Sequence, residues 1–146
     1  MPDPELKTKK ETNLANLIAK MEGEPIASFL KIKVLELSPG YAKVSMIMRP
    51  EYLNFNGVVF GSITMAVADY AFSLAINSLS LPSLATQFNV HLMAPAAVGD
   101  ELIAEGRVLH SGRRVGVTEM TVTNQNGKLV AKATGTTIPS TPRYTT

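Results

Sequence analysis

Cysteine is absent from this sequence of 146 residues, and histidine occurs only twice, as His91 and His110. The lack of cysteine excludes disulfides and thiolate zinc sites, and two histidines are too few for a histidine-rich metal centre. We therefore expect no metal site. The formal net charge is only +2, which favours neither a nucleic-acid surface nor a membrane-surface binder.

The start of the chain has little hydrophobic character. The opening residues MPDPELKTKK are polar, and no apolar segment of a signal peptide follows them. The one long apolar run, over residues 61–77, approaches membrane-spanning length, but it contains Asp69 and strand patterns flank it. We expect a soluble cytoplasmic protein with neither a membrane nor a nucleic-acid partner.

Residues 61–77 are apolar on almost every side, which predicts a buried helix. Its polar residues Ser62, Asp69, Ser73 and Asn77 stand at i, i+7, i+11 and i+15, along one narrow stripe. Asp69 is the unusual member, because buried carboxylates are rare unless they are paired or functional. The stripe therefore marks this helix as the element to examine for chemistry.

The predicted helix begins near Phe60-Gly61-Ser62, after a turn that contains glycine. The free N–H groups of a first helical turn form a site for negative charge. Asp69 lies about two turns further along the same helix. A charge-stabilising helix end and a carboxylate on one element form the strongest chemical signal in the sequence.

The rest of the chain reads as short alternating segments around this helix. We expect a loose start, residues 1–10, then an amphipathic helix, 11–21, two strands, 32–37 and 42–48, a loop, 51–59, and after the long helix four strands, 84–92, 101–108, 115–124 and 129–135. Asn126-Gly127 is the strongest hairpin signal and predicts a type I′ turn. Residues 1–25 form a tail and short helix, 26–140 the domain, and 141–146 a C-terminal tail.

This order predicts an α+β fold in which a strongly curved antiparallel sheet wraps one long helix. A strand of about ten residues is comparable in length to the helix. The outer edges or face of such a sheet still need cover. We therefore expect a homo-oligomer.

At this point the sequence resembles a known family. The order of elements resembles the hotdog fold, and the run from Asn54 through Gly57, Phe60-Gly61-Ser62 and Asp69 resembles the phenylacetate-degradation-type acyl-CoA thioesterases. That family typically reads Asn-x5-His-Gly-Gly-x6-Asp here. The resemblance covers about residues 27–138, including looser matches over 89–95, 99–100, 110–114 and 127–131.

The resemblance implies hydrolysis of an acyl-CoA thioester, with coenzyme A as part of the substrate and no separate cofactor or metal. It implies that Asp69 is the catalytic carboxylate, that the Gly61 N–H holds the thioester carbonyl, and that Asn54 lies near the nucleophile. In the family these groups meet across a dimer interface, with Asp69 of one subunit facing Gly61 and Asn54 of the other. Such dimers commonly pair into tetramers.

The sequence departs from the family pattern at two positions. The family's histidine is Phe60 here, and its second glycine is Ser62. Phe60 cannot polarise a thioester by hydrogen bonding, whereas Ser62 offers a hydroxyl group. This departure keeps open a non-catalytic acyl-CoA or small-ligand binding protein on the same fold. A hydratase is a weaker third reading, because it would need the missing histidine.

Each central residue also has a structural interpretation. Asp69 acts as general base or as nucleophile, or is a carboxylate bonded to a neighbouring helix or to Asn54. Gly61 is an oxyanion donor, or permits close packing, and the two roles are compatible. Asn54 orients water or the thioester, or holds its own turn.

Besides Phe60 and Ser62, four further residues are candidates for substrate binding. Ser73 shares the stripe with Asp69, and Thr86 approaches from the next strand. Arg113 and Arg114 follow a turn and suit coenzyme A phosphates, although a solvated hairpin end explains them as well. We expect an apolar acyl tunnel lined by Phe55, Val58 and Phe60, which favours an aromatic or medium-chain acyl group.

Overall fold

The computed structural model describes residues 4–79 and 82–140, with side chains from residue 13 onward. Two helices come first, followed by two strands, a short 3-10 turn, the long helix and four strands. The elements are α1 (Pro4–Glu22), α2 (Pro25–Leu30), β1 (Lys33–Ser38), β2 (Tyr41–Ile47), the 3-10 turn (Pro50–Tyr52), α3 (Gly61–Asn77), β3 (Ser83–Leu92), β4 (Glu101–Ser111), β5 (Gly116–Thr123) and β6 (Leu129–Pro139).

The strands form one six-stranded sheet in the order β1-β2-β4-β5-β6-β3. Every neighbouring pair is antiparallel. Helix α3 packs across the middle of this sheet, mainly on β4, β2 and β5. The α+β hotdog arrangement predicted from the sequence is therefore confirmed, and α3 spans the run expected to form the central helix.

Glycines in the sheet allow α3 to lie close to it. A Cβ atom added at Gly106 would stand 2.7 Å from the backbone oxygen of Ala71, and one at Gly135 would stand 2.5 Å from the ring of Phe72. Real Cβ atoms do not approach other atoms this closely, so larger residues would push the helix away. The close contact buries α3 side chains such as Leu74 completely, as dense core packing requires.

The N-terminal region differs from the prediction in two ways. Helix α1 begins at Pro4, so the expectation of a loose segment over residues 1–10 is wrong from residue 4 onward; residues 1–3 lie outside the described residues. Proline suits the first helical position, and the charged residues after it are good helix formers, although they lack an apolar pattern. The second difference is α2, whose six residues bury only Ala27 and Leu30 and are too few to show helical periodicity.

The hairpin turn between β5 and β6 also differs from the prediction. A type I′ turn needs positive φ at both central residues, but only Gly127 has it, at 78°. The side-chain oxygen of Asn124 accepts hydrogen bonds from the N–H groups of Asn126 and Lys128, each at 3.0 Å. These bonds hold a longer turn with Gly127 as its single left-handed residue, so the type I′ prediction is wrong.

Within residues 4–79 and 82–140, no helix combines the length and apolar character needed to cross a membrane. The C-terminal tail over residues 141–146 lies outside the described residues, and the predicted domain boundaries stay a prediction.

Helix α1 contacts α3 through a hydrogen bond from the Tyr70 hydroxyl to the backbone oxygen of Met21, at 2.6 Å.

Candidate active site

The start of α3 carries backbone N–H groups that nothing in the described part of the chain satisfies. Phe60 occupies the N-cap position, and its side chain makes no capping hydrogen bond. Phe60 N donates to Tyr52 O at 2.8 Å, and Ile63 N donates to Phe60 O at 2.9 Å. The N–H groups of Gly61 and Ser62 find no acceptor among the described residues, so the positive end of this helix offers two free donors.

The loop before α3 is held by Asn54. Its side-chain oxygen accepts hydrogen bonds from Asn56 N at 2.9 Å and Val58 N at 3.4 Å, and its backbone oxygen accepts one from Gly57 N at 3.0 Å. The interpretation of Asn54 as a turn residue is therefore confirmed. The backbone N–H of Asn54 also donates to Val58 O, at 2.8 Å. No described residue bonds to the side-chain NH₂ group of Asn54, which therefore stays available as a donor.

A pocket of about 260 Å³ opens beside this helix start. Its walls come from the loop, the first turn of α3 and the segment after β3: Asn54, Val58, Val59, Gly61, Thr64 and residues 92–96. A Cβ atom at Gly61 would stand 2.7 Å from Cδ1 of Leu92. The missing side chain of Gly61 thus leaves the space in which a substrate group can reach its N–H.

The expected acyl tunnel is only partly present in one chain. Val58 lines the pocket, but Phe55 and Phe60 do not. Phe55 stands at the tip of the loop and is 97% exposed, and Phe60 is 54% exposed. Ser62 is also exposed. Neither phenylalanine lines the pocket of a single protomer, and the tunnel stays a prediction.

Asp69 stands on the side of α3 that the sheet leaves uncovered. On one flank of the helix, Tyr70 bonds to Met21 of α1. On the other flank, the Phe72 ring packs on Phe88 of β3 with 5.9 Å between ring centroids. Asp69 lies between these flanks and is exposed to solvent, so the prediction that it is buried is wrong, because the sheet covers only part of the helix circumference.

The surroundings of Asp69 still affect its chemistry. Nearby protein atoms displace enough water to raise the pKa of the Asp69 carboxyl above its usual 3.8. No group in the described ranges donates a hydrogen bond to it, so the suggested bond to Asn54 does not form within the chain. Along the same stripe Ser62 is exposed, Ser73 is half-buried and Asn77 is buried, where its side chain donates to Ser73 O at 2.8 Å.

Thr86 lies away from the pocket. Its hydroxyl donates to the backbone oxygen of Thr136 at 3.3 Å, in the exposed part of β3. The pocket meets β3 only at its far end, at Leu92. The two histidines are exposed on β3 and β4, outside the pocket.

Arg113 and Arg114 are exposed in the turn between β4 and β5. The next strand begins at Gly116, where an added Cβ would stand 2.8 Å from the side chain of Ile76. Ile76 belongs to the last turn of α3, so this turn lies at the opposite end of the helix from Gly61. One chain therefore brings Asn54 and Gly61 together and leaves Asp69, Thr86 and the two arginines apart from them.

Sequence reasoning missed Thr64 as a pocket residue. It is only 3% exposed and lines the pocket beside Gly61. Residues three apart lie on the same helix face, so its spacing from Gly61 is the signal that could have identified it.

Comparisons with known proteins agree with this geometry. The family model of the thioesterase superfamily matches residues 56–131. The acyl-coenzyme A thioesterase PaaI of Escherichia coli K12 is 32% identical over 116 residues, which cover 80% of this chain and 83% of that protein. The solved structure of E. coli PaaI, from the phenylacetic acid degradation operon, superposes with a TM-score of 0.84 at 29% identity and covers 92% of this chain and 95% of that chain.

A second solved structure carries a ligand. It is a protein from Streptococcus mutans UA159 bound to acetyl CoA, with a TM-score of 0.72 at 28% identity, covering 75% of this chain and 88% of that chain. The family match spans more than half of the present chain and includes α3 and every pocket residue except Asn54. This chain therefore belongs to the thioesterase superfamily and is a hotdog-fold member of the PaaI-like type.

Proposed function

We propose that the protein hydrolyses an acyl-CoA thioester to a free acid and coenzyme A. The observation that carries this proposal is the helix start at Gly61, whose free N–H groups open on a mostly apolar pocket. Donors fixed at the place where a carbonyl oxygen gains negative charge are usually the largest contribution to acyl-transfer catalysis. The similarity to the E. coli thioesterase and to the acetyl-CoA-bound protein supports the choice of substrate.

The chemistry follows from these donors and Asp69. With the thioester oxygen held by Gly61 N–H, Asp69 takes a proton from water while the water oxygen attacks the carbonyl carbon. The tetrahedral intermediate then expels the coenzyme A thiolate, and the protonated Asp69 gives its proton to this thiolate. In the alternative route the Asp69 carboxylate attacks the carbonyl carbon and expels the coenzyme A thiolate, and water then hydrolyses the resulting anhydride. Its raised pKa makes the Asp69 carboxylate a stronger base than an ordinary aspartate. Neither route needs a cofactor or a metal.

We propose that two chains complete the site. The pocket of about 260 Å³ is smaller than the roughly 300–1,000 Å³ of a typical small-molecule site. Antiparallel pairing of β3 with β3 of a second protomer would set the two α3 helices in opposite directions. Asp69 of one protomer then faces Gly61 and Asn54 of the other, and two such dimers form a tetramer.

The same pairing accounts for the scattered binding residues. Because the two helices run in opposite directions, the Arg113–Arg114 turn of one protomer comes to the Gly61 end of the other, where it can bind coenzyme A phosphates. The exposed Phe55 and Phe60 then become walls of the acyl site when the second protomer covers them. We also propose that the protein works in the cytoplasm, which the absence of cysteine favours.

Release of the coenzyme A thiol from short, medium, long and aromatic acyl-CoAs tests this function. Asp69→Asn should lower kcat by on the order of 100-fold to 10,000-fold while acyl-CoA binding is kept. Glu51→Gln changes an exposed carboxylate away from the pocket and should keep full activity. Since Asp69 must be ionised, the wild-type rate should fall on the acid side, at a pH above the usual aspartate value.

The second candidate function is a non-catalytic acyl-CoA binding protein, favoured by phenylalanine at position 60. The same samples separate the two functions when binding is measured by calorimetry. Wild-type binding without thiol release would establish the binding protein. Undiminished turnover by Asp69→Asn would contradict the role of Asp69.

A further inference from the structure

The Thr64 hydroxyl is an unused polar group in the pocket wall. Thr64 is 3% exposed, and no described residue forms a hydrogen bond with its side chain. A helical threonine commonly donates to the carbonyl four residues earlier, which is Phe60 O, but here that oxygen accepts from Ile63 N instead. Among the described residues, Thr118 Oγ1 is the one side-chain atom that is fully enclosed and lacks a hydrogen bond. Thr64 Oγ1 also lacks a hydrogen bond, so it is not fully enclosed and still reaches open space.

The open space that Thr64 reaches is the pocket beside Gly61. Apart from Thr64 and Asn54, the side chains around it are apolar: Val58, Val59, Leu92, Met93, Pro95 and two alanines. The oxygen of the Asn54 side chain is already used by its loop. Water in the pocket can bond to this hydroxyl, so a ligand that displaces the water loses affinity unless it supplies a hydrogen-bonding group at the same place.

The position of Thr64 along α3 fixes where on a substrate that partner lies. Thr64 follows Gly61 by three residues, about 4.5 Å along the helix axis, and its side chain leans back towards the helix start. For an acyl chain that runs along α3 from the Gly61 N–H towards Thr64, this distance places the third or fourth carbon beside the Thr64 hydroxyl. A hydroxyl group can both donate and accept, so it can bind a hydroxyl or keto oxygen there.

We propose that Thr64 selects aliphatic acyl groups that carry an oxygen at C3 or C4, with 3-hydroxyacyl-CoA as the preferred class. This inference rests on the proposed hydrolysis, because it assumes that the thioester oxygen binds at Gly61. The inference gives Thr64, on the same face of α3 as Gly61, a role in substrate specificity.

Matched substrate pairs test the role of Thr64. Butyryl-CoA is compared with 3-hydroxybutyryl-CoA, and hexanoyl-CoA with 3-hydroxyhexanoyl-CoA, on wild type, Thr64→Val and Thr64→Ser. Wild type should prefer the hydroxylated substrate in kcat/KM by roughly fivefold to tenfold, the effect of one neutral hydrogen bond. Thr64→Val keeps the shape but lacks the hydroxyl, so it should lose this preference, and Thr64→Ser should keep it.

Thr134→Val makes the same exchange on the exposed face of β6 and should keep the wild-type preference. A wild type without preference would overturn the proposal, and so would a Thr64→Val variant that slows both members of a pair equally. If folded wild type releases no thiol from any substrate, the proposed hydrolysis fails. Calorimetric binding of the same pairs then decides whether Thr64 recognises the hydroxyl group.

Discussion

The two edges of the sheet are built differently. Edge strand β1 has six residues, among them Lys33 and Glu36. Glu36 pairs with Lys43 at 3.9 Å, and α1 packs against the strand. Edge strand β3 has ten residues, none of them Asp, Glu, Lys or Arg, and hydrogen-bonds to β6 on one side only. Each strand contains one register shift, so a bulge does not distinguish them.

The difference shows which edge is prepared for a partner strand. Charged residues and covering helices protect an edge from pairing, whereas a long uncharged edge invites it. The unprotected edge is also next to the flank of α3 where Phe72 meets β3 and where Asp69 is exposed. We infer that the sheet and the active site are both completed from the β3 side.

Among the changes that test the difference between the two edges, a charge placed in the middle of β3 should have the largest effect. Gln87 is exposed near the centre of the strand, so in an antiparallel β3 pair it stands close to its own copy. Gln87→Lys should separate the protomers by like-charge repulsion and lower kcat by on the order of 100-fold, since Asp69 leaves the site. Sedimentation and thiol release measure both effects.

Two comparisons make this test specific to the β3 edge. Leu35→Lys, on the exposed part of β1, should leave assembly and activity unchanged. Mixing Gln87→Lys with Gln87→Glu should restore both by pairing opposite charges. A Gln87→Lys protein that stays assembled and active would contradict pairing through β3.

Mixing two inactive variants should give an intermediate effect. Asp69→Asn and Gly61→Val each damage one half of a shared site. In a hybrid dimer one site carries both changes and the other carries neither, so random mixing should recover about one quarter of wild-type activity. A site formed within a single chain would recover none after the same unfolding and refolding of the mixture.

A change in the middle of the sheet should have the smallest effect. The Thr118 hydroxyl on β5 is fully buried without a hydrogen-bond partner among the described residues. Thr118→Val should therefore raise the free energy of unfolding by about 1 kcal/mol without altering assembly or activity. Urea denaturation measures this gain, and a loss of stability would show that the hydroxyl has a partner such as water.

The long helix and the strands could be predicted because their signals are local. Residues 61–77 are continuously apolar, and α3 occupies that range. The resemblance to the thioesterase family likewise identified Asn54 and Gly61, which share one pocket. Residues that are close together in the sequence determine both the position of α3 and the pairing of Asn54 with Gly61.

The errors arose where distant or side-chain contacts decide the structure. The Asn124 side chain changes the turn that Asn126-Gly127 alone would favour. The exposure of Asp69 depends on how far the sheet curves around α3, which no local pattern records. The positions of Arg113 and Thr86 relative to the pocket depend on strand order, which the sequence pattern leaves open.

Gly106 and Gly61 should differ in the substitutions that they tolerate. At Gly106 an added methyl group meets the main-chain oxygen of Ala71, which cannot rotate away, so even alanine should fail a selection for folding. At Gly61 it meets the end of the Leu92 side chain, which can move. Substitutions at position 61 should therefore pass a selection for abundance and fail one for turnover, which separates the residue needed for folding from the residue needed for chemistry.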